Sequence, residues 1–167
     1  MFQTTTAIVL ALQKHNDQSS ILHAYTRADG RVSYMVYGVH SKKKSLQAAL
    51  QPLNIVELTS EKVPSRTIET LKEAKITYLT RQNDFERQCV RMFVAELVYR
   101  TLKLPMHDER IFDYLIDVVH QIDTTEQLHL LPQEIMTRLS LLLGYGSEPL
   151  EEWKGLKSVD VLQSIFR

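Results

Sequence analysis

Apolar and polar positions follow two different periods along this chain of 167 residues. Up to about residue 80 they come in short runs of β-branched and aromatic residues separated by turn residues. Thr4 to Leu12 reads as a first strand, His15 to Gln18 as a polar turn, and Ser20 to Thr26 as a second strand. Arg27 to Gly30 is a turn in which Gly30 is free to take positive φ. Arg31 to Tyr37 alternates, with Val32, Tyr34 and Val36 on one face and Ser33, Met35 and Tyr37 on the other. That spacing predicts Tyr34 in the core and Tyr37 on the more polar face. His40 to Ser45 is a basic loop. Ser45 to Gln51 forms one or two helical turns that Pro52 stops, and Asn54 to Thr59 is a fourth strand. Thr67 to Tyr78 fits strand and helix locally. Strands of this number, with a helical turn between the third and fourth, make a small Greek-key barrel of the OB type, which tips the segment toward strand.

From residue 81 the period becomes helical. Asn83 and Glu86 have capping-box spacing, and Phe85, Cys89, Met92, Phe93, Leu97 and Leu104 mark an apolar stripe on a first long helix ended by Pro105. Asp108 is placed to cap a second helix with the stripe Ile111, Phe112, Leu115, Ile116 and Val119. Thr124 and Thr125 break the pattern. A third helix runs to Leu143, with Pro132 in its first turn and Gly144 just past its end. A last short helix is expected over Ser158 to Phe166. The fold class is α+β: an OB-like five-stranded barrel over residues 1–80, then a helical domain over 81–167.

Composition limits the function classes. With 44% hydrophobic and 24% charged residues the chain has enough apolar material to fold. No apolar run reaches the ~18 residues a membrane span needs, and the start lacks the basic segment of a signal peptide. The lone Cys89 excludes an internal disulfide and a multi-cysteine zinc site, and a reducing, cytoplasmic setting is expected. Its place on the apolar stripe predicts a buried structural thiol. The six histidines are scattered, and no phosphate-loop, dinucleotide or serine-hydrolase motif occurs. Asp113, Asp117 and His120 share one face of the second helix. A solvated polar face explains them better than metal ligation. Neither an enzyme nor a cofactor or metal is expected.

The formal charge is zero, but it is unevenly spread. Before residue 51, Lys14, Arg27, Arg31, Lys42, Lys43 and Lys44 face only Asp17 and Asp29, while the helical half is acidic. Lys42 to Lys44 stand just after a strand that carries Tyr37. Binding of single-stranded nucleic acid on an OB barrel needs cations for phosphates and flat rings for bases. The candidate nucleic-acid-binding residues are therefore Lys42, Lys43, Lys44, Arg27, Arg31, Lys14 and Tyr37. A loop whose lysines only confer solubility is the simpler alternative.

The run from Thr6 to Leu58 resembles the N-terminal domain of the RecO family of DNA repair and recombination mediators. The resemblance rests on Ala7 to Leu10, the turn at Asp17 to Ser20, Thr26 with Gly30, the basic loop from Gly38 to Lys44, and Leu50-Gln51-Pro52. Lys72 to Lys75, Phe93 to Arg100, Met136 to Tyr145 and Leu156 to Phe166 resemble later family segments in the same order. The resemblance implies a protein without a catalytic site. It would bind single- and double-stranded DNA and anneal complementary strands. It would also bind single-stranded-DNA-binding protein and, with RecR, help load RecA, in the bacterial cytoplasm and near the nucleoid. Two departures stand out. Many members carry a four-cysteine zinc motif that this chain lacks, and a middle block of the helical domain is expected to be absent after Pro149. The alternative reading is a non-enzymatic protein-interaction module acting through the acidic helical half.

Overall fold

The computed structural model describes residues 1–39, 44–62, 68–81, 84–102 and 107–145. The strands are β1 (Phe2–Lys14), β2 (Ser19–Thr26), β3 (Gly30–Tyr37), β4 (Ile55–Glu61) and β5 (Glu69–Tyr78), with the short helix α1 (Lys44–Ala49) between β3 and β4. Helices α2 (Phe85–Thr101), α3 (Glu109–Thr124) and α4 (Leu131–Leu142) follow. The sheet closes on itself in the order β1-β2-β3-β5-β4. This is the expected OB-like architecture. The segment that fitted both helix and strand is β5, held along its length by antiparallel pairing with β4. Ladder pairing overrides the local helix preference of its Glu, Leu, Lys and Ala residues.

Closure depends on β1, which bends between two partners. Its first half pairs with β4 from Phe2 opposite Glu61 to Ile8 opposite Ile55, and its second half with β2 from Ala7 to Lys14. A bulge between Val9 and Ala11 makes the bend. Leu53, at φ 62°, brings the chain onto that bulge: its N–H donates to Val9 O at 2.8 Å, and Val9 N–H donates to Asn54 O at 3.0 Å. The buried Asn54 side chain donates to Ala48 O (2.9 Å) and accepts from Thr80 N–H (3.2 Å). One amide thus ties the end of α1, the start of β4 and the exit from β5.

Alternation fills the barrel. Ala7, Val9, Leu22, Ala24, Tyr34, Val36, Val56, Leu58 and Leu71 point inward, with Leu46 from α1 and Leu50 just after it packed against them. Tyr34 is core, as its parity predicts. Outward positions Ile8 and Tyr25 are also buried, because α2 lies on β1 and α3 packs on α2; the Tyr25 ring stacks on Phe112 at 6.3 Å between centroids.

Two details of α2 differ from the sequence reading. Its N-cap is Asp84, whose carboxylate accepts from Arg87 N–H at 3.1 Å; Asn83 lies outside the described residues. Its buried face is Arg91, Val94, Ala95, Leu97 and Val98. Phe85, Cys89 and Met92 are exposed, Phe85 by 79%. The expected apolar stripe is only partly inward, with Leu97 buried and Phe85, Cys89 and Met92 outside, because both sides of this helix carry apolar residues. The side taken inward is the one whose Arg91 reaches the buried Asp123. In α3 the expectation holds for the cap, Asp108, and for Ile111, Phe112, Leu115 and Val119.

The change from strand to helix falls between Tyr78 and Phe85. By compactness the chain divides elsewhere, into Met1–Leu128 and His129–Arg167. In the second unit, α4 has Pro132 in its first turn and buries Leu131, Ile135, Met136 and Leu139. Just past its end stands Gly144, whose φ is 80° and whose N–H donates to Leu141 O at 3.0 Å. The helix expected over Ser158 to Phe166 lies outside the described residues.

Candidate nucleic-acid interface

The alternation that sends Leu22, Ala24, Tyr34 and Val36 inward sends the intervening residues outward. On β2 and β3 these form cross-strand pairs: Ser19 with Tyr37, Ile21 with Met35, His23 with Ser33, and Tyr25 with Arg31. The row extends over about 20 Å, at ~3.4 Å per residue. Tyr25, at one end, is covered by α3. Ile21, His23, Arg31 and Ser33 border an open groove of about 760 Å3 that also takes in Lys62, Glu69 and His107.

Charge is graded along this strip. Arg31 lies over the Tyr99 ring, its guanidinium carbon 4.1 Å from the centroid, and donates to Tyr99 O (2.8 Å) and Leu102 O (3.3 Å) at the end of α2. The middle pair is uncharged at neutral pH: His23 Nδ1 and Ser33 Oγ are hydrogen-bonded at 2.8 Å, and burial, with the Arg31 charge beside it, holds the imidazole pKa below its ordinary value. Of the two acids on the groove, Glu69 is engaged by Gln3 Nε2 (2.9 Å) and Ser60 Oγ (2.6 Å), with Lys62 Nζ at 3.8 Å. Asp29 belongs to the β2–β3 turn, its N–H bonded to Thr26 Oγ1. Tyr37, 59% exposed, stands at the far end.

The sequence-predicted residues separate into two groups. Lys14, opposite Ser20, lies at the Tyr37 end of the barrel, and its Nζ is 2.9 Å from Asp17. Lys44 begins α1. Lys42 and Lys43 lie outside the described residues. Arg27 is at the opposite end, where it pairs with Asp113 at 2.5 Å and lies over the Phe112 ring. Arg27 and Arg31 thus hold α3 and α2 to the barrel, and Arg31 also faces the groove. Sequence reasoning missed Ile21, His23, Ser33, Lys62 and His107. The parity of Arg31 to Tyr37 was the available signal for Ser33; its partner His23 depends on strand register. Asp113, from the face considered for metal ligation, is the partner of Arg27. Among the described residues no three His, Cys, Asp or Glu side chains are placed to share a metal ion, and no helix is long and apolar enough to cross a membrane.

Residues 1–80, the whole barrel, match the family model described as recombination protein O, N terminal. A protein of Bacteroides fragilis called DNA repair protein RecO is 30% identical, over 99% of this chain and 70% of that protein. The chain belongs to the RecO family. RecO proteins of the same description from Porphyromonas gingivalis and Phocaeicola vulgatus are 35% and 32% identical over 77% and 76% of this chain. The matches cover 53% and 54% of those two RecO proteins, so the chain spans about half the length of these curated relatives.

Proposed function

We propose that this RecO-family chain is a non-enzymatic DNA-binding mediator of DNA repair and recombination. It binds single- and double-stranded DNA, anneals complementary strands, and acts with RecR, single-stranded-DNA-binding protein and RecA. The observation that supports this reading is the outward strip of β2 and β3. Its Ile21, His23, Arg31 and Ser33 line an open groove, it continues to the exposed Tyr37 at the end where Lys14 lies, and in the sequence the basic residues Lys42 to Lys44 follow soon after Tyr37. Cations bind phosphates as point charges, and an exposed tyrosine ring is a stacking platform for any base. Phosphates meet the lysine end, and bases lie along the strip. Bacterial RecO relatives support a cytoplasmic, nucleoid-associated location for the same activity.

The test is a salt series of anisotropy titrations with labelled single-stranded DNA. If ~4 phosphate contacts form, the log–log slope is about −3, and changing Lys42, Lys43 and Lys44 together to Glu makes it shallower by about 2. The loss is the same for all sequences, because phosphate contacts carry no base information. Equal affinities and slopes in a folded triple variant would exclude the lysine segment. Salt-independent binding by the unchanged protein would remove the electrostatic mechanism.

A further inference from the structure

We infer that His23 and Ser33 form a base-contacting subsite for single-stranded nucleic acid in the middle of the strip; this rests on the DNA-binding reading above. The two residues are directly opposite on β2 and β3, facing the groove. Their hydrogen bond uses one of the three hydrogen-bonding positions of the Ser33 hydroxyl, leaving two for a ligand. Ser33 is half-buried and lines the open groove, so those positions are within reach. His23 is 9% exposed, with its ring 5.0 Å from that of Tyr99, so its imidazole fixes the hydroxyl rather than meeting solvent itself. Being neutral, the pair offers no charge attraction to a phosphate. It is flanked by the apolar Ile21 and Met35 on one side and by the flat Arg31 guanidinium on Tyr99 on the other. Apolar surface, a planar cation and a hydroxyl with spare hydrogen-bonding capacity suit the face and edge of a base. A base can present both only when it is unpaired, which makes the ligand single-stranded.

The experiment separates base from backbone. The full chain is titrated with an oligothymidylate and with an abasic oligonucleotide of the same length, which keeps every phosphate and has no bases. The unchanged protein is expected to bind the thymidylate more tightly. Ser33→Ala is expected to weaken thymidylate binding about fivefold, the equivalent of one net hydrogen bond, and to leave abasic binding unchanged. Ser33→Thr and Ser33→Val have nearly the same shape and both suit a strand. The Thr variant should keep the preference and the Val variant lose it, which holds the test independent of folding in the Ala variant. Equal weakening toward both oligonucleotides, an unchanged ratio in Ser33→Val, or no preference in the unchanged protein would overturn the subsite while DNA binding stands. Absence of binding to either oligonucleotide would overturn the DNA-binding reading and the subsite with it.

Discussion

Asp123 is 1% exposed, and its carboxylate accepts from Arg91 Nη2, Tyr78 Oη (2.9 Å) and Arg81 N–H (3.3 Å). It joins β5, the exit from the barrel, α2 and α3 at one point. Asp123→Ala leaves the buried Arg91 charge without its counter-ion, and the expected cost is about 3–5 kcal/mol, read from urea midpoints. His23 sets a pH dependence of stability. Its folded pKa lies below the unfolded value of 6.5, so the unfolded chain binds the proton more readily. Stability is full above that pH and falls as pH is lowered through the histidine range. His23→Phe should flatten the difference between urea midpoints at pH 7.5 and pH 5.5, relative to the unchanged protein. Cys89, which the sequence places in an apolar stripe, is exposed. One equivalent of a thiol reagent should therefore react with the native protein without denaturant, and slow labelling that needs urea would contradict the exposed placement.

Helix α2 shows why a stripe on one element is not enough to orient it. Leu97 and Met92 both belong to the sequence-predicted stripe, yet Leu97 is 4% exposed and Met92 61%. Leu97→Ala should cost about 2–5 kcal/mol through loss of burial and the cavity left behind. Met92→Ala should stay within about 0.5 kcal/mol. Equal costs would mean that the helix is rotated from the orientation described. Helix α3 was legible because its apolar residues fall on one side and its Asp108 cap marks the start. The segment from Glu69 to Tyr78 was legible only through the fold it completes.

In the whole molecule, the barrel and the helical pair α2–α3 share one compact unit, Met1–Leu128. Outward Ile8 and Tyr25 are fully buried under these helices, and the Arg27–Asp113 pair and the Arg31–Tyr99 stack fasten the same contact. A chain ended at residue 80 would expose that apolar surface to water. It should melt without a cooperative transition or aggregate, whereas a chain ended at residue 128 should unfold cooperatively in calorimetry. Cooperative, monomeric folding of residues 1–80 alone would contradict this dependence.

Periodicity, turn residues and caps are local properties, and from them the sequence by itself determined the strand-rich first half, the helical second half, the inward Tyr34 and the outward Tyr37. The order of motifs determined the family. Which side of α2 faces inward was decided by the tertiary structure, because the choice depends on Asp123, 32 residues away from Arg91. The pairing of His23 with Ser33 was likewise set by strand register, which brings together residues ten apart. Arg27 and Arg31 read in the sequence as surface cations. Only the packing of α2 and α3 against the barrel turned them into fasteners, because a side chain's partners are fixed by which elements meet and not by its neighbours along the chain.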